Sequence, residues 1–158
     1  MAQEGEAAPD VTLQMGDGST TKLSQLKRPL VLYFYPKDDT SGCTVEAKDF
    51  TALAAAFEIE GTSLLGVSKD PPKAHAKFTA KYDLKVPLAT DADGNVTEGF
   101  GVWVEKSLYG RKYMGIERAT FLIGEDGRIV RAWRKVSVKG HAEEVLAAAR
   151  ALKGTGSS

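Results

Sequence analysis

The chain has 158 residues, enough for one compact domain and too few for two of ordinary size. It is 42% hydrophobic and 27% charged, as soluble globular proteins commonly are, with 21 basic side chains against 21 acidic ones. That balance, with the basic residues spread along the chain, argues against a nucleic-acid partner, and no apolar run approaches the length of a transmembrane helix.

Residues 1–10 carry Glu4 and Glu6 and contain no apolar signal region, so a cytoplasmic location is expected. The chain has one cysteine, Cys43. An intramolecular disulfide is impossible, a cysteine metal cluster is excluded, and two isolated histidines make no zinc site. No cofactor or metal is expected.

In chain order, residues 10–14 alternate weakly and lead into Gly16-Asp17-Gly18, a turn signal that predicts a short hairpin. Residues 24–26 read as a short helical turn. Residues 30–35 form an unbroken apolar run ended by Pro36, the pattern of a buried central strand. After a polar loop, Cys43, Ala47, Phe50, Ala54 and Phe57 recur at three- and four-residue steps and predict one helix, stopped at Gly61. Residues 63–67 predict a second strand. Asp70-Pro71-Pro72 predicts a helix start, with Asp70 as cap, and the helix runs to about Tyr82. Asp91 and Asp93 read as turn residues. Residues 119–123 and 129–133 predict a strand pair turned at residues 125–128. The last helix is expected over about residues 141–153, with Gly154 as its stop. Strands and helices alternate, then a hairpin and a helix close the chain. The expectation is an α/β, thioredoxin-like fold, a mixed central β-sheet flanked by helices. It makes residues 1–153 one domain and residues 154–158 a disordered tail.

Cys43 follows a buried strand, a polar loop and Gly42, and it opens a helix. The first turn of a helix presents unpaired N–H groups and the positive end of the helix dipole, which favour an anion there. The thiolate is the nucleophilic form of cysteine. Thr40 and Thr44 add hydroxyls nearby, and Pro36 stiffens the strand exit. Position alone leaves two readings equally open: a reactive thiol, or a small hydrophobe packed into the core.

Residues 33–47 read Tyr-Phe-Tyr-Pro-Lys-Asp-Asp-Thr-Ser-Gly-Cys-Thr-Val-Glu-Ala. This stretch resembles the active-site segment of the peroxiredoxins, and most closely the bacterioferritin comigratory protein (PrxQ) subfamily. A second stretch, residues 100–107, with Gly110, Tyr113 and residues 115–123, matches as well. The resemblance covers about residues 4–152. It implies a thiol-dependent peroxidase in which Cys43 is the peroxidatic cysteine and is oxidised to sulfenic acid. Thr40 is the hydroxyl that binds thiolate and peroxide, Pro36 shields the site, Arg118 is the arginine beside the thiolate, and Glu46 orients that arginine. The implied partners are a hydroperoxide and an external thiol reductant: thioredoxin, glutaredoxin or a low-molecular-weight thiol. A monomer or weak dimer is implied too.

The sequence departs from the family pattern in three places. Lys48 and Thr79 stand where relatives carry a resolving cysteine, so none lies within this chain. Ser41 replaces a usual proline. Position 48 is about 500° around the helix from Cys43, well off its face. Two other functions compete. A redox sensor or holdase would use Cys43 non-catalytically. A thioredoxin-type exchanger needs a Cys-x-x-Cys pair, and position 46 is Glu. His75 and His141 are expected on exposed polar helix faces, and Phe100 and Trp103 in plain core packing.

Overall fold

A computed structural model describes residues 2–156. An amino-terminal hairpin pairs β1 (Thr12–Gln14) with β2 (Thr20–Lys22), and a 3-10 turn (Leu23–Gln25) follows. The central strand β3 (Leu30–Phe34) is buried at every position. It lies between β4 (Ser63–Ser68), parallel to it, and β8 (Ala119–Ile123), antiparallel. β5 (Leu88–Thr90) extends the parallel part, and β9 (Ile129–Trp133) closes the far edge. The sheet runs β2-β1-β5-β4-β3-β8-β9. A strand covered on both faces has no reason to alternate, which is why the apolar run in β3 is continuous.

The helices are α1 (Ser41–Ala52), α2 (Ala54–Ile59), α3 (Pro72–Tyr82), α4 (Asn95–Gly99) and α5 (His141–Gly156). The single helix expected after Cys43 is two, broken at Leu53, yet Phe50 and Phe57 still face one core. α5 continues through Gly154 to Gly156; residues 157 and 158 of the expected tail lie outside the described residues. Asp70 does not cap α3, whose N-cap is Pro71. Its carboxylate instead accepts from the Ser68 hydroxyl at 2.6 Å and the Asp38 backbone N–H at 2.9 Å. The short helix α4 is not evident in the sequence. Asp91, read as a turn residue, is buried and accepts from the N–H groups of Gly94, Val96 and Thr97 at its start.

A further hairpin was not foreseen: β6 (Trp103–Leu108) pairs with β7 (Arg111–Ile116) apart from the main sheet. It delivers the chain to Glu117 and Arg118, directly before β8. Among the described residues no helix is long and apolar enough to cross a membrane.

Two cores result. Leu30, Leu32 and Phe34 of β3 pack with Leu65, Phe100 and Phe121 on one side. Val31 and Tyr33 of β3, with Tyr35 just beyond it, pack with Cys43, Phe50, Phe57, Phe78 and Val145 on the other. Gly66, paired with Tyr33 across the β3–β4 ladder, makes room for that ring. A Cβ there would lie 2.7 Å from the phenol Cζ.

Candidate active site

Thr40 is the N-cap of α1, so Cys43 is the third residue of the helix, inside the first turn. The residue is only 2% exposed, which fits a side chain leaning from the apolar stripe toward the core. The N–H groups of that turn and the helix dipole surround the sulfur with positive potential.

Arg118 reaches this turn from between β7 and β8. Its Nη2 donates to Cys43 Sγ at 3.4 Å, and its Nη1 to Glu46 Oε1 at 2.6 Å. Glu46 lies three residues after Cys43, so both side chains project from one face of α1 and share one guanidinium. The planar fork of arginine suits this double contact. Gly42 permits the approach: a Cβ there would stand 3.1 Å from Nη2. The structure thus brings Cys43, Glu46 and Arg118 together.

The electrostatics follow from burial. Glu46 is 1% exposed, and its Oε2 has no hydrogen-bond partner. Burial pushes its carboxyl up to about 7, against the opposing pull of Arg118. Oε1 accepts from Arg118 in either protonation state. For Arg118, burial works against the charge, but Glu46 and Cys43 outweigh it and hold the guanidinium above its ordinary value. The Tyr33 hydroxyl is also buried without a partner, and burial, followed by Glu46 and Cys43, raises its pKa.

Thr40 and Pro36 are placed differently. Both are exposed at the mouth of the loop between β3 and α1. The Thr40 hydroxyl donates to the Lys37 carbonyl at 2.8 Å, not to the thiol. Its lone pairs therefore stay available as an acceptor. Lys48 is exposed, with its ammonium 5.8 Å from the Tyr82 ring centroid, and Thr79 is half-buried on α3.

The loop is tied to α3 by two adjacent carboxylates that sequence reading missed. Asp39, at φ 59°, accepts from Lys81 Nζ at 2.8 Å and the Tyr82 hydroxyl at 2.7 Å. Asp38 accepts from the Tyr35 hydroxyl at 2.5 Å and meets His75 Nδ1 at 2.7 Å. The expected exposure of the histidines is thereby corrected: His75 is 3% and His141 6% exposed. His141 pairs with the Thr120 hydroxyl at 2.8 Å between the Phe50 and Trp133 rings. A helix-facing pattern cannot show such partners, which come from other elements. Phe100 is fully buried as expected, while Trp103 is half-buried beneath Lys69 Nζ, 4.6 Å from its ring.

The sequence profile of the AhpC/TSA family matches residues 5–132. Peroxiredoxin Bcp of Xanthomonas campestris pv. campestris is 47% identical over 143 residues, 90% of this chain and 89% of its own length. Peroxiredoxin Bcp of Bacillus subtilis is 46% identical over 143 residues, 90% of this chain and 91% of its own. The solved structure of the bacterioferritin comigratory protein of Xanthomonas campestris, studied for its alkyl peroxide reduction activity, superposes with a TM-score of 0.87 at 44% identity. It covers 97% of this chain and 98% of that one. Peroxidoxin BcpB of Mycobacterium tuberculosis gives a TM-score of 0.84 at 35% identity over 96% of this chain and 99% of that one. With a thioredoxin-like fold, one thiol at a helix start and these relatives over nearly its whole length, the chain belongs to the AhpC/TSA family, as a peroxiredoxin of the Bcp (PrxQ) kind.

Proposed function

We propose that this protein reduces hydrogen peroxide and organic hydroperoxides through Cys43 and is regenerated by an external thiol. The observation that carries the assignment of roles is the Arg118 guanidinium, 3.4 Å from Cys43 Sγ and held by Glu46.

The Cys43 thiolate attacks one peroxide oxygen. An S–O bond forms as the O–O bond breaks, and the electron pair leaves on the second oxygen as hydroxide or alkoxide. That oxygen takes a proton and departs as water or an alcohol, leaving Cys43 as sulfenic acid. Arg118 stabilises the charge that builds on the leaving oxygen, the part of such reactions where preorganised donors count most. Thr40 accepts a hydrogen bond from the peroxide O–H, since its own proton is committed to Lys37. Pro36 adds no donor beside the sulfur and keeps the loop stiff. Glu46 positions Arg118.

The second half needs a thiol from outside, because Cys43 is the only cysteine. That thiol condenses with the sulfenic acid, releasing water and forming a mixed disulfide. A second thiol resolves it to the external disulfide and free Cys43. With Cys43 only 2% exposed, the first turn of α1 must open to admit the reductant. Thioredoxin, glutaredoxin and low-molecular-weight thiols all fit this scheme. We take the working form to be a cytoplasmic monomer or weak dimer.

The test is stopped-flow mixing of reduced protein with one equivalent of hydrogen peroxide, followed by tryptophan fluorescence, with mass spectrometry for sulfenic acid. Oxidation orders of magnitude faster than a free thiol, absent in Cys43→Ser, is the expected result. A rate equal to that of a free thiol would overturn the peroxidase reading.

A further inference from the structure

We propose that the β6–β7 hairpin docks on an anionic lipid surface and so brings Cys43 to hydroperoxides carried by lipids. The substrate named here rests on the peroxidase reading above; the docking itself does not.

The hairpin turns through two residues, Tyr109 and Gly110, at φ 52° and 78°. A two-residue turn with both residues at positive φ favours Gly, Asn or Asp, and a bulky side chain is strained there. No contact within the protein offsets that strain. The Tyr109 side chain is 97% exposed and, among the described residues, meets no hydrogen-bond partner and no other ring. Nor is it alone. Of the seven large hydrophobic side chains that stand exposed among the described residues, four are Leu108, Tyr109, Tyr113 and Met114. Single exposed apolar residues are ordinary, but a cluster of them marks a surface that meets a partner.

The ladder shows which face is concerned. Residues directly opposite across an antiparallel pair share a face. Leu108 lies opposite Arg111, Lys106 opposite Tyr113 and Val104 opposite Gly115, so these six form one face. It interleaves apolar and basic side chains and holds no acidic one. Glu105 is on the other face, and Glu117, next in line after Gly115, is taken by Arg134 at 2.7 and 3.2 Å. Lys106 and Arg111 have no ion-pair partner among the described residues. The inner end of this face adjoins the site. The Lys106 stem lies against Gly115, where a Cβ would stand 3.2 Å from Cδ, three residues before Arg118. Burial and then the charge of Arg118 hold Lys106 below its ordinary value, against the pull of Cys43.

A second copy of the chain is a poor occupant. An isologous contact would bring Lys106 and Arg111 against their own images. The ribbon is also narrow, about 10 Å by 20 Å from its two strands of six residues, far short of the roughly 800 Å² a side of a standard protein interface. A lipid surface needs no matching shape. Tyrosine settles at the headgroup level, and Lys and Arg are drawn to anionic headgroups.

The test is co-sedimentation of the reduced full chain with vesicles of phosphatidylcholine alone, or of phosphatidylcholine and phosphatidylglycerol in equal parts. Wild type should partition onto the mixed vesicles roughly a hundredfold better than onto neutral ones, from Lys106, Arg111 and Lys112 at about fivefold each. Tyr109→Asn, which suits the turn, should lower binding by about tenfold, and Arg111→Gln by about fivefold. Both variants should oxidise with hydrogen peroxide at the wild-type rate, and both should slow with a phospholipid hydroperoxide placed in the mixed vesicles. Equal partition onto the two vesicles, or binding indifferent to both substitutions, overturns the proposal. So does a wild type that ignores vesicles and is retained on immobilised polyglutamate, which assigns the hairpin to an acidic protein. Variants that bind less but reduce the vesicle hydroperoxide as fast as wild type overturn the delivery of substrate. Docking that follows the substitutions, in a protein oxidised no faster than a free thiol, overturns the peroxidase reading and leaves the docking standing.

Discussion

Strand β3 divides its side chains between two cores of different character. Leu30, Leu32 and Phe34 enter a core built around Leu65, Phe100 and Phe121, whose contribution is burial and close packing. Val31 and Tyr33, with Tyr35, enter a core that borders Cys43, Glu46, His75 and His141, all buried. On the first side ring contacts do the organising, as where Phe121 meets Phe100 at 4.9 Å and Phe34 at 5.9 Å. On the second side buried polar groups need partners, and among the described residues two buried side-chain atoms have none: Tyr33 Oη and Glu46 Oε2. Unpaired buried polar atoms cost stability. Their place beside Cys43, the nucleophile we propose, gives this side of the sheet a cost in stability that the packed apolar side does not carry.

The largest effect that tests this division is Phe121→Ala. It should lower stability by about 3–5 kcal/mol in urea unfolding, from lost burial and the cavity left behind. The folded fraction should still react with peroxide at the wild-type rate. A slowed reaction in folded protein would mean that the two cores are not separate in role. Arg118→Ala should act first on the reaction. Peroxide oxidation of Cys43 should slow by about 10²–10³, the cost of removing one preorganised donor, and stability should fall by about 1–3 kcal/mol because Glu46 is left buried without its partner. A rate within a factor of two of wild type would remove Arg118 from the site.

Gly42→Ala sharpens the same point with a single methyl group. The new Cβ meets Arg118 Nη2 at 3.1 Å, so the guanidinium must shift. Oxidation should slow by roughly tenfold, while the helix gains up to about 1 kcal/mol from alanine over glycine. Stopped-flow rates and urea midpoints read both sides, and a variant that is more stable and equally fast would show that the arginine tolerates displacement.

Much of this arrangement was legible in the sequence. The unbroken run through β3 announces burial on both faces, and Gly42-Cys43 after a polar loop announces a helix start. What escaped depends on partners distant in the chain. His75 looks like a polar-face residue because Asp38 is 37 positions away, and His141 because Thr120 is 21 away. The hairpin of β6 and β7 escaped because it is mostly exposed and held by its own ladder, without an apolar face to mark it. The break at Leu53 leaves the helical spacing of Phe50 and Phe57 intact, so no change of period reveals it. The contact of Arg118 with Cys43 was reached through family resemblance. Their separation of 75 residues puts it beyond any local pattern.

The smallest expected effects lie in how stability varies with pH, where two groups of the second core act in opposite directions. Glu46 is raised by burial from its ordinary 4.5 to about 7. The folded state then binds this proton more tightly than the unfolded state does. Its contribution is fully present below about pH 4.5 and is lost as pH rises through about 7. His141 is lowered from its ordinary 6.5 by burial, against an opposing pull from Glu144 and with a smaller push from Arg118. Its contribution is present above pH 6.5 and is lost as pH falls through the lowered value. Wild type should therefore show a shallow profile across this range, in which the two slopes partly cancel. Glu46→Gln should remove the loss toward neutral pH and leave a curve that falls only on the acid side. His141→Gln should remove the acid-side loss and leave stability declining toward pH 7. Urea midpoints across this range separate the two, and parallel curves for wild type and Glu46→Gln would show that the carboxyl beside Arg118 is ionised throughout.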